Sequence, residues 1–196
     1  MKRIPEFWCH IVLCVACLTL ASLSSAASKE ERLEKIKAGY LVNFIRFAQW
    51  PDESFESASS PVVVTLVGDS PFSDSTIRGL EKTAIGQRSL ELRQIPLEEV
   101  DQVPIDVEKL RLELADVHVV FMSGLNPAHA EELVREILPK HTLSIGDHEM
   151  FARIGAMLAL STHANKVFFY ANSDAIKLSE VKLSSKVLRL ARKVKG

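Results

Sequence analysis

Residues 62–71 read Val-Val-Val-Thr-Leu-Val-Gly-Asp-Ser-Pro, and this stretch decides the fold class. Six β-branched or apolar residues in succession leave no polar face, which is typical of a strand covered on both sides. Gly68 ends the run, and Ser70 followed by Pro71 is the pattern of a helix N-cap and a first helical residue. The stretch therefore predicts a buried strand that leads directly into a helix.

Alternating strands and helices follow this stretch toward the C-terminus. Further strands are predicted at residues 89–95, 117–122, 142–145, 156–160 and 167–170. A helix is predicted after Asn126-Pro127, and a basic amphipathic helix closes the chain, with Leu183, Val187, Leu190 and Val194 on one side. The order predicts an α/β fold: a single compact domain with an open mixed β-sheet flanked by helices in Rossmann-like layers, a late antiparallel hairpin and a C-terminal helix.

A helix is also predicted on the N-terminal side of the first strand. Ser28 and Glu31 form a capping-box pattern, and Ile36, Tyr40, Phe44 and Phe47 make one apolar stripe that predicts a core face. Pro51 should end the helix near Trp50, because the residue before a proline is pushed out of the α region. Residues 51–61, polar apart from Phe55, Ala58 and the two bounding prolines, are predicted to form a loop.

Residues 1–27 have the pattern of a secretory signal peptide. A basic start precedes an apolar stretch, and small residues follow it, so we expect cleavage after Ala26 or Ala27 and a mature domain over residues 28–196. Two alternatives stay open: lipidation of Cys17, and an uncleaved membrane anchor. With cleavage, the protein is expected in the periplasm without stable membrane insertion.

The charges and the cysteines narrow the class of protein further. The chain has 24 basic and 25 acidic side chains, a balance that does not predict a nucleic-acid binder. All three cysteines, Cys9, Cys14 and Cys17, lie in the leader, so the mature chain would fold on its hydrophobic core without disulfides.

The polar motifs do not call for catalysis, a metal or a cofactor. Residues 68–71 hold one glycine and a proline that removes an amide donor, so a strand end and helix cap explain them better than a phosphate loop. His118 is interpreted as a satisfied core or edge residue, with a zinc site as the alternative. Residues 147–149, Asp-His-Glu, are interpreted as capping the next helix, with acid/base catalysis as the alternative.

Four segments together resemble one family of periplasmic proteins. Residues 37–51 read Lys-Ala-Gly-Tyr-Leu-Val-Asn-Phe-Ile-Arg-Phe-Ala-Gln-Trp-Pro, similar to the opening helix and Trp-Pro corner of the YfiR-like proteins. Residues 67–72, 143–147 and 183–191 resemble the family's Gly-x-x-Pro-Phe turn, its Leu-Thr-Ile-Gly-Asp motif and its terminal Leu-Ser-Ser motif. The segments occur in the family's order and span nearly all of residues 28–196.

The resemblance implies a function that the residues alone do not reveal. Members of the YfiR-like family act as periplasmic negative regulators that hold an inner-membrane diguanylate cyclase inactive, limiting cyclic-di-GMP and biofilm. By this resemblance the protein is a non-enzymatic binding module without a cofactor. Its expected partner is the periplasmic region of such a cyclase, and a homodimer is left open.

Two departures from the family pattern bear on the partner surface. Residues 155–158 read Gly-Ala-Met-Leu where the family has Gly-Gly-Met-Ile, and residues 169–172 read Phe-Tyr-Ala-Asn, without the family's glutamate. The cysteines that give better-known members redox control are absent after residue 17. The residues predicted to contribute to a partner surface are Trp50, Phe151, Met157 and Tyr170.

Two other function classes stay open. A periplasmic sensor of a small ligand would use the crevice beyond the strand C-termini, near Ser70 and Ser123. A hydrolase would need Asp147, Glu149 or a histidine to meet in one cleft.

Overall fold

The computed structural model describes residues 29–96 and 106–194. The predicted signal peptide, its cleavage positions Ala26 and Ala27, the alternative lipidation residue Cys17 and the predicted cap Ser28 all lie outside these residues. Within them, no helix is both long and apolar enough to cross a membrane.

The described residues form seven helices and ten strands. The helices are α1 (29–47), α2 (Asp74–Glu81), α3 (Val107–Glu113), α4 (Pro127–Glu132), α5 (Glu149–Arg153), α6 (Ser173–Leu178) and α7 (Ser185–Leu190). A 3₁₀ turn occupies Asp52–Ser54, and a π-helical turn, Leu133–Ile137, extends α4. The strands are β1 (Ala48–Gln49), β2 (Val62–Gly68), β3 (Ala84–Ile85), β4 (Arg88–Ile95), β5 (Val119–Ser123), β6 (Leu143–Gly146), β7 (Leu158–His163), β8 (Lys166–Asn172), β9 (Lys182–Leu183) and β10 (Arg192–Val194).

Eight strands form one open mixed sheet in the order β10-β8-β7-β6-β5-β2-β4-β3. β4, β2, β5, β6 and β7 are parallel, and β7 and β8 form an antiparallel hairpin. The short strands β1 and β9 pair separately. The predicted mixed sheet and its late hairpin are thereby confirmed.

Helices cover both faces of the sheet, which explains the apolar run at residues 62–67. Alternate β2 residues, such as Val64 and Val63, enter two separate core layers. The first layer lies under α1, α2, α6 and α7, and the second under α3, α4 and α5. Every residue of β2 is buried, as a strand between two helical layers requires.

The start of α2 differs from the prediction. The helix begins at Asp74 with Ser73 as N-cap, three residues after the predicted cap Ser70. The Ser70 hydroxyl instead bonds both the amide and the carbonyl of Phe72, which closes a local turn. Glu34 of α1 accepts hydrogen bonds from the amide and hydroxyl of Ser73, so α1 supplies the acceptor that the new helix end needs.

The chain end and α1 also depart from their predicted stripes. α7 has only six residues, with Val187 buried, Leu190 exposed, and Leu183 and Val194 on strands. A single amphipathic helix over these positions is therefore wrong, because residues 192–194 pair with β8. In α1 Phe44 is buried, but Phe47 is 38% exposed, so the predicted core position of Phe47 is also wrong.

Candidate functional site

The Trp-Pro corner lies where α1 meets the N-terminal edge of the sheet. α1 ends at residue 47, and the Phe47 carbonyl accepts a hydrogen bond from the Ser184 amide at 3.0 Å. The Trp50 indole packs half-buried against the first core layer, and its Nε1–H donates to the His118 carbonyl at 3.2 Å. Trp50 therefore holds the corner in place and leaves part of its ring at the surface.

His118 lies one residue before β5 and is only 6% exposed. Its Nδ1 accepts a hydrogen bond from the Val63 amide at 3.2 Å, and its Nε2 lies 2.8 Å from the Ser54 carbonyl oxygen. Because an amide only donates and a carbonyl only accepts, these partners require the neutral ring with its proton on Nε2. Burial lowers the pKa of His118, consistent with this state.

An aromatic stack attaches residues 51–61 to this histidine. The Phe55 ring stacks on the His118 ring at a centroid distance of 4.2 Å, and the Arg88 guanidinium lies 3.7 Å from the Phe55 centroid. Both groups cannot occupy one face of the phenyl ring, so Phe55 lies between them. Arg88 Nη1 also donates to the carbonyls of Ser57 and Ser60 at 2.8 and 2.7 Å.

A cavity of about 400 Å³ adjoins this stack. Its charged and titratable lining residues are Glu53, Glu56, Glu91, Arg93, Asp116, His118, His141 and Glu180. Arg93 bonds Glu91 and Asp116, and lowers the pKa of Asp116. Among residues 29–96 and 106–194, no three His, Cys, Asp or Glu side chains converge as a metal site, and the zinc alternative at His118 gains no support.

A second cavity, of about 430 Å³, lies near the N-terminal ends of β6 and β7. Ser144, Met157 and Asn172 line it, with Arg135 and Lys140 also in its wall. Ser144 and Asn172 are buried and already hydrogen-bonded within the fold, to Met157 N and to the carbonyl of Ala152.

The predicted crevice at the strand C-termini is filled by the chain itself. At the switch point, where β2 and β5 are neighbours, the Asp69 amide donates to the Ser123 carbonyl at 3.0 Å. The Ser123 hydroxyl donates to Asp147 Oδ2 at 2.6 Å, and Ser70 is held by Phe72. Ser70 and Ser123 are thus occupied by intramolecular partners.

Residues 147–149 do not form an acid/base cluster. Asp147 accepts from Ser123, His148 caps α5 by accepting from the Met150 amide, and Glu149 pairs with Arg153. The Arg153 hydrogen bond is the main cause of the lowered pKa of Glu149. A helix does start here as predicted, but its N-cap is His148 rather than the expected Asp147 or Glu149. The hydrolase alternative gains no support here.

The four residues predicted for a partner surface do not form one patch. Phe151 and Met157 are buried, in the second and first core layers respectively, so their predicted surface position is corrected. A Cβ on Gly146 would lie 2.2 Å from Phe151 Cβ, which shows how closely this ring sits over the strand end. Trp50 packs on the first layer and Tyr170 on the second, so they face opposite sides of the sheet.

The Tyr170 side chain already has intramolecular partners at the surface. Arg192 donates to the Tyr170 hydroxyl at 3.2 Å, and its guanidinium lies 4.0 Å from the Phe168 centroid. The basic side chain Arg192, predicted to lie on a helix, is therefore on a strand and stacked on aromatic rings.

Large apolar side chains that are exposed indicate a docking surface better than the four predicted residues do. In the described residues these are Phe47, Leu112, Leu178 and Leu190. Phe47 and Leu190 lie on elements joined through β1 and β9, whereas Leu112 lies on α3 across the sheet. Sequence reasoning missed Phe47 and Leu190 because periodicity assigned both to core stripes.

The described residues form a three-layer α/β/α protein with a Trp-Pro corner and with its switch-point side chains bonded to one another. The model of the YfiR/HmsC-like family matches residues 34–192, and the chain belongs to that family. The family is periplasmic, regulatory and non-catalytic, and acts in the diguanylate cyclase pathway, generally with a membrane cyclase as partner.

Two solved structures are similar to part of the chain. One is a conserved domain protein from Vibrio cholerae, with 13% identity and a TM-score of 0.49 over 68% of this chain and 55% of the other. The second is the ABC domain in complex with L-Trp from Streptococcus pneumoniae, with 10% identity, a TM-score of 0.46, and 67% and 54% coverage. The chain thus spans about half the length of each.

Proposed function

We propose that this protein binds the periplasmic region of an inner-membrane diguanylate cyclase and holds the cyclase inactive, which limits cyclic-di-GMP and biofilm. The observation that carries the proposal is the family match over residues 34–192. This range contains the four motif segments. Export of the mature chain to the periplasm after cleavage at Ala26 or Ala27 is part of the same proposal.

The surface best suited to this binding lies beside the Trp-Pro corner. Phe47 exposes an apolar side chain there, and Trp50 exposes part of its ring. Leu190 is exposed on α7, which follows β9, the strand that pairs with β1 next to the corner. Apolar and aromatic side chains at the centre of an interface supply most of the binding free energy in known complexes. Lys186 and Arg189 on α7 add positive charge beside Leu190.

Repression requires that the protein bind the inactive cyclase more tightly than the active one. The population of the cyclase shifts by the ratio of these two affinities and by no more. A substitution that removes contacts to the inactive cyclase should therefore raise cyclic-di-GMP without unfolding the regulator.

We expect Leu190→Asp to raise cyclic-di-GMP toward the level of a strain lacking the protein, because a carboxylate would be buried at the interface. The control is Leu112→Asp, since Leu112 and Leu190 are 77% and 78% exposed and lie on opposite faces of the sheet. Cyclic-di-GMP is measured in cells with equal amounts of each variant, and binding with the purified cyclase periplasmic region.

Four results would contradict this assignment. An unchanged level of cyclic-di-GMP in the deletion strain would contradict the cyclase proposal. So would the absence of binding between the protein and the cyclase periplasmic region at micromolar concentration. If Leu190→Asp and Leu112→Asp change cyclic-di-GMP equally, the corner is not the docking surface. A Leu190→Asp variant that only converts a homodimer to a monomer would assign Leu190 to self-association.

A second candidate function is sensing of a small ligand, favoured by the cavity of about 430 Å³. This volume lies within the range of ligand pockets. The cavity wall has two basic side chains, Arg135 and Lys140, against one carboxylate, Asp174, and this excess of positive charge suits an anionic group. Gly155 and Met157, which belong to the segment that departs from the family's Gly-Gly-Met-Ile pattern, also line this cavity.

For this candidate we expect a small anionic ligand to raise the melting temperature of the protein, by mass action on the folded state. Met157→Trp should abolish the rise by filling the cavity, whereas Leu112→Ala should not, because Leu112 is not among the residues that line it. A panel of small periplasmic anions without any thermal shift would contradict ligand sensing at this cavity.

A further inference from the structure

Residues 51–61 cross the N-terminal edge of the sheet and are tethered by two basic side chains from other elements. His118 bonds the Ser54 carbonyl and stacks on Phe55, and Arg88 bonds the carbonyls of Ser57 and Ser60. The segment itself contributes Glu53 and Glu56 to the wall of the adjoining cavity of about 400 Å³. It therefore covers one side of this cavity and the edge of Trp50.

The contact with His118 depends on the charge of the ring. Nδ1 must be unprotonated to accept from the Val63 amide, while Nε2–H donates to Ser54. A proton on Nδ1 would point at the Val63 N–H, so the buried Val63 amide would lose its acceptor and the new Nδ1–H would have none. The ring can relieve this conflict by leaving its site, which breaks the Ser54 bond and the Phe55 stack.

Charged groups surround His118 on every element packed against it. Arg88, Glu91 and Arg93 come from β4, and Asp116 precedes β5. Glu53 and Glu56 come from the covering segment, His141 precedes β6, and Glu180 precedes β9. Burial is the largest cause of the lowered pKa of His118, and His141 and Arg88 lower this pKa further. The hydrogen bond to Ser54 and the charge of Asp116 raise the pKa but do not offset the burial.

We propose that His118 is a proton-operated latch: protonation of its Nδ1 in mildly acidic surroundings frees residues 51–61, opens the adjoining cavity and uncovers Trp50 and Phe55. This conformational switch is a property of the chain itself and does not depend on a cyclase partner. It places a response to acidity directly beside the corner that carries the exposed apolar surface.

The direction of the pH dependence follows from the lowered pKa. The buried ring binds a proton less readily than a solvated histidine with a pKa of 6.5, so the released state takes up the proton first. The closed state is fully favoured above pH 6.5, and its advantage falls as the pH decreases toward the pKa of the buried ring. Uptake of one proton increases the opening constant by at most about tenfold per pH unit in this window.

The experiment follows hydrogen exchange in residues 51–61 and the Val63 amide between pH 7.5 and 5, corrected for intrinsic rates. The protein is purified after export through its own leader. Wild-type protection should fall with decreasing pH by up to about tenfold per unit below pH 6.5, while the core strand β5 stays protected. Trp50 fluorescence should change over the same range.

His118→Gln keeps a neutral donor and acceptor but cannot titrate, so its protection should vary less than about twofold once intrinsic rates are removed. His141→Gln lines the same cavity and should keep the wild-type slope. A His118→Gln slope equal to that of the wild type would overturn the latch, because a carboxylate or another histidine would then be responsible.

The wild-type ring provides a test that does not depend on any variant folding. Nuclear magnetic resonance of the histidine rings should show His118 with its proton on Nε2 at neutral pH and a pKa below 6.5. A proton on Nδ1, a pKa at or above 6.5, or titration without loss of protection in residues 51–61 would each refute the proposal.

Discussion

Replacing Phe44 by alanine is expected to lower the free energy of unfolding by about 3–5 kcal/mol. Phe44 is 2% exposed, and its ring lies 5.8 Å from the Tyr40 ring and 5.1 Å from the Phe169 ring, between centroids. The truncation would leave a cavity among these rings, where α1 packs on β8. Chemical denaturation of wild type and variant measures the difference.

Phe47→Ala is the matched control, since it removes the same side chain three residues further along α1. Phe47 is partly exposed, so we expect a loss below about 1 kcal/mol. A Phe44→Ala loss no greater than that of Phe47→Ala would mean that α1 does not depend on this aromatic contact.

Gly68→Ala is expected to cost about 2–5 kcal/mol of folding stability. Gly68 has φ +88°, a left-handed conformation that costs an L-residue about 1–2 kcal/mol. A Cβ there would also lie 2.1 Å from the Ser123 carbonyl oxygen, and overpacking of this kind costs about 1–3 kcal/mol. Because the clash is with backbone, β2 and β5 would have to separate at the switch point. Thermal and chemical unfolding measure the loss.

Gly39→Ala is the control for this substitution. Gly39 lies within α1, and no atom would lie within 4 Å of a Cβ there. Alanine should stabilise the helix by about 0.5–1 kcal/mol. If both variants lose similar stability, the close approach of β2 and β5 is not what requires glycine at position 68.

Much of the fold could be predicted from runs of apolar residues. β2 and β5 were each predicted within two residues of their observed ends, because buried strands of this type are nearly continuous runs of apolar residues. The bounds of short elements were harder to predict from the sequence. The start of α2 depends on an acceptor from Glu34, 39 residues away, and the end of the chain depends on pairing of residues 192–194 with β8.

The candidate site was predictable only in part. His118 was correctly interpreted as a satisfied core or edge residue, and the end of the helix near Trp50 was also predicted. Phe151 and Met157 were misplaced because a short apolar segment does not show which layer will cover it. Phe151 fits over Gly146 only because β6 and α5 meet there.

The sequence by itself determined the α/β class, the buried strands, the glycine at the strand end and the family, since each is a property of residues near one another in the chain. Tertiary structure alone decided the strand order, the filling of the switch point by Ser123 and Asp147, and the neutral state of His118. The physical reason is that these features join groups far apart in sequence, such as the His118 ring and the Val63 amide, 55 residues apart. Local periodicity reports which face a residue presents to the core, and only chain packing determines what that face meets.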